Sequence, residues 1–212
     1  MKTTDFVAYN ENKGANKKII KQLETDLISS FGTLYNIHLM MNPWDVYYAD
    51  NLVEEDLIKE KIKWHMSCDT HSKKVFDENA SKDGKNNINS NYGYLVFSDE
   101  NFNQFEHCYN KLFWNQNAKD AQIIYNRPSM QIDWCERGKN DFIKFNCSHF
   151  FIENGKLDMI HSQSNCDFYK DFAVDFAWIA TIYQLMYNRL VNTKYKDLKK
   201  GDIHYNIDCL YK

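Results

Sequence analysis

The sequence predicts a single α+β domain, and three observations carry that prediction. Hydrophobic residues make up 43% of the 212 residues and aromatics 16%, with 14 Tyr, 14 Phe and 5 Trp, which is enough apolar volume for one large core. Only 7 Gly and 2 Pro occur, too few for a loop-dominated or low-complexity chain. The apolar pattern changes along the chain, from helical spacing in the first half to strand-like runs after residue 120, followed by one long apolar helix. No internal repeat and no linker interrupts this order, so residues 1–212 read as one unit.

Residues 14–30 place Ile19, Ile20, Leu23, Leu27 and Ile28 at helical spacing and predict an amphipathic helix. Strand material follows around Tyr35–Met41, with a turn at Asn42 and Pro43. Residues 52–66 repeat the helical pattern through Leu52, Leu57, Ile58, Ile62 and Met66, with a charged outer face that reads as solvated surface. Residues 77–90 are polar and predict a loop. Phe102, Phe105, Cys108, Tyr109 and Leu112 give another helix within 99–117. Strands are then expected at Ala121–Asn126, Met130–Trp134, Asp141–Ile152 and Leu157–Ser162. Asn154 and Gly155 form a two-residue hairpin signal because both tolerate positive φ. Residues 171–191 are apolar all round, the mark of a helix buried at a domain centre.

Net charge is −3 with a pI near 6.2, so no basic field is available to hold a nucleic-acid backbone, and direct DNA binding is not expected. The opening residues carry no apolar signal segment and no run reaches transmembrane length, which points to the cytoplasm and away from a membrane. The six cysteines, at 68, 108, 135, 147, 166 and 209, contain no CxxC pair and read as free thiols in a reducing compartment. His and Cys are scattered without ligand spacing, so no metal site is expected.

Four ordered blocks resemble one family. They are Asn89-Ser-Asn-Tyr-Gly93; Arg127-Pro-Ser-Met-Gln131 with Asp133; Asp141-Phe142 with Asn146; and Asp167 with Asp175-Phe-Ala-Trp178. Together they resemble the phage deoxycytidylate hydroxymethylases of the thymidylate synthase family, over about residues 34–209. The resemblance implies a thymidylate synthase-like mixed sheet with flanking helices and a homodimer through the sheet carrying Arg127–Asp133, with Lys119 and Arg127 reaching across. It also implies a nucleotide ligand. Asp175 falls where the family reads the pyrimidine edge, and an acidic side chain there accepts from the exocyclic amine of cytosine.

The same resemblance marks what has changed. The family's nucleophilic cysteine falls on Lys144, and an ammonium is not nucleophilic until it loses its proton. Cys147 is the outside candidate to replace it. It lies three residues along the same strand, and strand alternation turns it away from Lys144 unless a bulge intervenes. The catalytic glutamate falls on Lys61, in Lys61-Ile-Lys-Trp64, and the phosphate-binding arginine on Ser164, in Gln163-Ser-Asn-Cys-Asp167. Two cross-dimer arginines fall on Lys119 and Asp120. The family's His-x-Tyr sugar contact lands on Tyr211 and runs off the end, a shortened C-terminus.

These positions predict a pocket lined by Lys61, Trp64, Asn91, Tyr92, Lys144, Asn146, Gln163, Ser164, Asn165, Asp167 and Asp175. Two unpaired ammoniums facing one cavity, Lys61 and Lys144, predict an acidic ligand group between them. The expectation is a catalytically silent, phage-encoded nucleotide binder in the host cytoplasm, sequestering or regulating, with no cofactor. One alternative is an active hydroxymethylase using methylenetetrahydrofolate. The other is a non-catalytic subunit that binds a protein partner.

Overall fold

Side chains alternate across a strand, so a sheet with one apolar side needs apolar residues at every second position. Two adjacent strands show this clearly. Leu157, Met159, His161 and Gln163 are buried on one, and Ile203, Tyr205 and Ile207 on the other, while the residues between them are not. The computed structural model describes residues 14–46, 53–70, 91–130 and 143–212. Its strands are β1 (Thr33–Met41), β2 (Ala121–Ile124), β3 (Phe145–Glu153), β4 (Lys156–Asp167) and β5 (Lys199–Tyr211). They form a mixed sheet in the order β1-β5-β4-β3-β2, in which β4 and β5 run parallel and the other neighbours antiparallel.

The helices are α1 (Ala15–Ser29), α2 (Glu55–Met66), α3 (Tyr92–Phe97), α4 (Gln104–Trp114) and α5 (Phe172–Thr193), with a 3-10 turn at Asp99–Asn101. α5 is buried along most of its length, with Trp178, Phe172 and Phe176 inside and the last two stacked on Tyr205 of β5. Among the described residues no helix is long and apolar enough to cross a membrane.

The N-terminal helix, the first strand, the second helix and the long final helix lie where the sequence places them. The hairpin turn does too, with Asn154 at φ 50° and Gly155 at φ 71°. Other elements differ. The resemblance block at Asn89–Gly93 runs into a helix that the periodicity does not predict: Asn91 caps α3 by accepting from Tyr94 N, 2.9 Å away. Gly93 is required there, since a Cβ would stand 1.7 Å from the His65 carbonyl oxygen. Arg127 lies outside the sheet, and Ser129–Met130 begin a helical turn rather than a strand. The rest of that expected strand, the 77–90 loop, and Asp141 and Phe142 lie outside the described residues. β5 carries no expected counterpart, yet it is the longest strand among the described residues and sits between β1 and β4.

The outer face of the sheet is left half-buried or exposed. Met40, His204, Ile160, His149 and Gln122 form one rung across all five strands. His38, Asn206, Ser162, Cys147 and Ile124 form the next.

Candidate functional site: an ion-paired cluster at the start of the long helix

The N-terminus of α5 packs where β3 and β4 begin and end, and this brings the expected charged residues together. Lys144, just before β3, donates from Nζ to Asp171 Oδ2 at the N-cap of α5. One turn later, Asp175 is 6% exposed, and its Oδ2 accepts from Gln163 Nε2 at 3.4 Å and from the Cys166 thiol at 3.8 Å. Gln163 is itself fixed: Tyr205 donates to its Oε1 at 2.6 Å, and its Nε2 also donates to the Asn165 carbonyl at 2.9 Å.

The electrostatics follow from burial beside opposed charges. Burial pushes the Asp175 carboxyl up, the Asp171 charge adds to this, and the Lys144 and Lys61 ammoniums with the Gln163 amide oppose it, leaving it at about 7. For Lys144, burial acts to lower the value, but Asp171 and Asp175 outweigh it and the net shift is upward. The amine at the expected nucleophile position is therefore held as an ammonium. Burial, then Asp175 and Asp171, raise the Tyr92 phenol well above its usual range, so this ring also borders the acidic pair.

The sequence does not single out Asp171, His65, Tyr205 or Cys166, which complete the cluster. His65 is neutral, because burial and then the nearby Lys61 charge hold its pKa well down. Its Nδ1 accepts from Tyr92 N at 3.1 Å, so the proton sits on Nε2. Its ring stacks on Tyr92 and packs against Trp64, which is itself buried. The Cys166 thiol is pushed far up by burial, then by Asp175 and Asp171, and stays protonated. The available signal for Asp171 was its i, i+4 spacing to Asp175 on a helix.

Several expected ligand contacts are turned to structural tasks. Asn91 is fully buried and donates to the carbonyls of Trp64 (3.0 Å) and Asp69 (2.8 Å), tying α2 to α3. Asp167 Oδ1 accepts from Tyr169 N and Lys170 N, both at 3.1 Å, and so shapes the turn into α5. Ser164 donates its hydroxyl to the Lys144 carbonyl at 3.1 Å, and Asn165 donates to Ser164 Oγ at 3.3 Å. Asn146 sits at a bulge between Phe145 and Cys147 and donates to Ser162 Oγ at 3.4 Å, toward the outer face.

Two expectations need correction or placement. Lys144 is not an unpaired ammonium awaiting an anion, because Asp171 already neutralises it. A bulge, which alternation alone does not predict, does lie between Phe145 and Cys147, yet Cys147 pairs with Ser162 on the outer face, opposite Gln163 and Asp175. Of the two residues expected to cross a dimer, Lys119 is exposed, with its ammonium 5.9 Å from the Phe151 ring. Arg127 turns inward and donates to Asn101 of its own chain.

No family model matches the chain. Three curated relatives do: the deoxycytidylate 5-hydroxymethyltransferases of Enterobacteria phages T4, T2 and T6. Each is 27% identical over 167 residues, covering 75% of this chain and 67% of the relative. The chain is a distant homologue of these phage proteins. Against that homology, the Lys144–Asp171 pair is the feature that most constrains any shared chemistry. Within the charged cluster the one thiol among the described residues is Cys166, and it is buried and protonated.

Proposed function

We propose that this chain has a thymidylate synthase-type fold and binds a nucleotide-derived ligand without transforming it. The fold reading rests on the mixed five-stranded sheet under the long buried helix and on the phage homologues. The observation that carries the functional reading is the Lys144 ammonium, clamped by Asp171 beside Asp175. The relatives are named for acting on deoxycytidylate, and attack on a pyrimidine ring needs a strong nucleophile such as a thiolate. An ammonium locked in an ion pair offers no lone pair, and Cys147 faces the other side of the sheet. Asp175 keeps an acidic group suited to an exocyclic amine of a base.

The reading includes a phage origin, a host-cytoplasm setting and a sequestering or regulatory role, supported by the phage homologues alone. It also includes a homodimer through the outer face of the sheet, supported by the half-exposed rungs around Ile160 and Ser162. Light scattering tests the dimer: a monomer at micromolar concentration rejects it.

Two assays test the ligand reading. Tritium release from carbon 5 of labelled dCMP or dUMP, with methylenetetrahydrofolate present, is expected to stay at background. A thermal-shift screen of nucleotides and nucleosides is expected to find a stabilising ligand. At 100 times its dissociation constant a ligand adds about 2.7 kcal/mol, a rise of roughly 5–10 °C for a chain of this size. Tritium release catalysed by the purified protein ends the reading.

A further inference from the structure

The outer face of the sheet carries a pair of histidines that the nucleotide reading does not use. We propose that His38 and His204 form a binding site for one late first-row divalent cation, zinc foremost. The site goes beyond the ligand-binding reading and does not depend on it. The two residues lie far apart in the sequence, without ligand spacing, and the antiparallel pairing of β1 with β5 joins them. His38 stands opposite Asn206, and His204 opposite Met40. Both belong to the outer face, where His38 is exposed and His204 half-buried. Their rings lie 5.7 Å apart, centre to centre, with planes 28° from parallel.

The hydrogen bonding of the pair suits metal ligation. Asn206 Oδ1 lies 2.5 Å from His38 Nδ1. An amide oxygen only accepts, so Nδ1 carries the proton and Nε2 keeps its lone pair. A hydrogen bond that fixes tautomer and ring orientation in this way is the usual support of a metal-ligating histidine. No hydrogen bond among the described residues commits the His204 ring, whose described ring contact is the stack on His38.

Zinc binds imidazole nitrogen at about 2.0–2.1 Å, so rings this close can share one ion once their side chains rotate. The β1–β5 ladder already holds both backbones, and no chain segment has to be ordered for the ion to bind. Imidazole suits zinc, copper and nickel, whereas magnesium and calcium take oxygen ligands. Among the described residues no group of three or more ligating side chains gathers, so the pair supplies two positions and water the rest. β1 is an edge strand, which leaves the ion a side entrance even where a second copy covers Ile160 and Ser162.

Titration calorimetry of the purified full chain with zinc chloride tests this, beside the His38→Ala and His204→Ala variants and a magnesium chloride control. The wild type is expected to bind one zinc ion per chain and no magnesium, and each substitution is expected to weaken zinc binding at least tenfold. Copper(II) is paramagnetic, and in the wild type it is expected to broaden first the amide signals of β1 and β5 around residues 38 and 204, a readout that needs no variant. Absence of zinc binding, unchanged affinity in either variant, or copper broadening centred elsewhere overturns the site. Zinc bound as expected by a chain that binds no nucleotide leaves the site standing and rejects only the ligand-binding reading.

Discussion

Replacing Asp171 with Ala isolates the ion pair on which the functional reading depends. Unit charges at hydrogen-bond range, about 3 Å, attract by roughly 5–6 kcal/mol at an effective dielectric of about 20. Desolvating both groups offsets most of that. The two side chains keep 26% and 21% of their exposure, so water softens the loss further. Removing Asp171 then leaves a mostly buried ammonium with only Asp175 to oppose its burial. A cost of about 2 kcal/mol is expected, from the penalty for stranding a partly buried charge. Lys144→Ala should cost less, about 1 kcal/mol, because the orphaned Asp171 sits at a helix N-terminus that favours negative charge. The sign with pH follows from linkage. The folded Lys144 value lies above its ordinary 10.5, so its contribution is full below that value and fades as pH rises through the folded value. Urea denaturation of both variants at pH 7 and pH 10.5 measures this. Equal stability of Asp171→Ala and wild type, or a larger loss for Lys144→Ala, would refute the reasoning.

Other perturbations follow from the same contacts. Asp175 has a folded value near 7 against an ordinary 3.8, so its burial favours the protonated form and stability should fall as pH rises from about 4 through 7. Asp175→Asn should flatten that decline and exceed wild type in stability at pH 8; an unaltered pH profile speaks against it. Tyr205→Phe frees the Gln163 amide and should cost about 1–2 kcal/mol by denaturant titration, from one lost buried hydrogen bond. Gly93→Ala forces a methyl group onto the His65 carbonyl and should cost more than about 3 kcal/mol or prevent folding, read by circular dichroism. Gln104 completes the edge of β2 by accepting from Ile124 N at 2.8 Å and donating to its carbonyl at 2.9 Å. Gln104→Ala should therefore speed amide exchange at Ile124, where unchanged protection would count against an edge cap.

Legibility differed by element for physical reasons. α5 and α1 could be read because long apolar periodicity has no competing explanation. α3 could not, because six residues are too few for a period to register; Asn91 and the close backbone approach that only glycine permits at residue 93 hold it against α2. β5 carries an alternating signal in Ile203, Tyr205 and Ile207, interleaved with Asp202, His204 and Asn206. The polar half of that alternation belongs to the uncovered face, and it hid a strand that the sheet places between two others. Arg127 follows a short edge strand, and its pairing with Asn101 could not be inferred from spacing.

By itself the sequence determined that an amine stands at residue 144 and an acid at residue 175, and that an apolar helix leads away from them. Those are facts of composition and local period. Only the folded chain decided that Lys144 meets Asp171, 27 residues away, and that Cys147 points out of the opposite face. Neither contact is encoded in a spacing. The first arises from the packing of the start of β3 against the start of α5 and the second from the register of β3 past its one bulge, and a charge acquires its chemistry from the partner that packing brings to it.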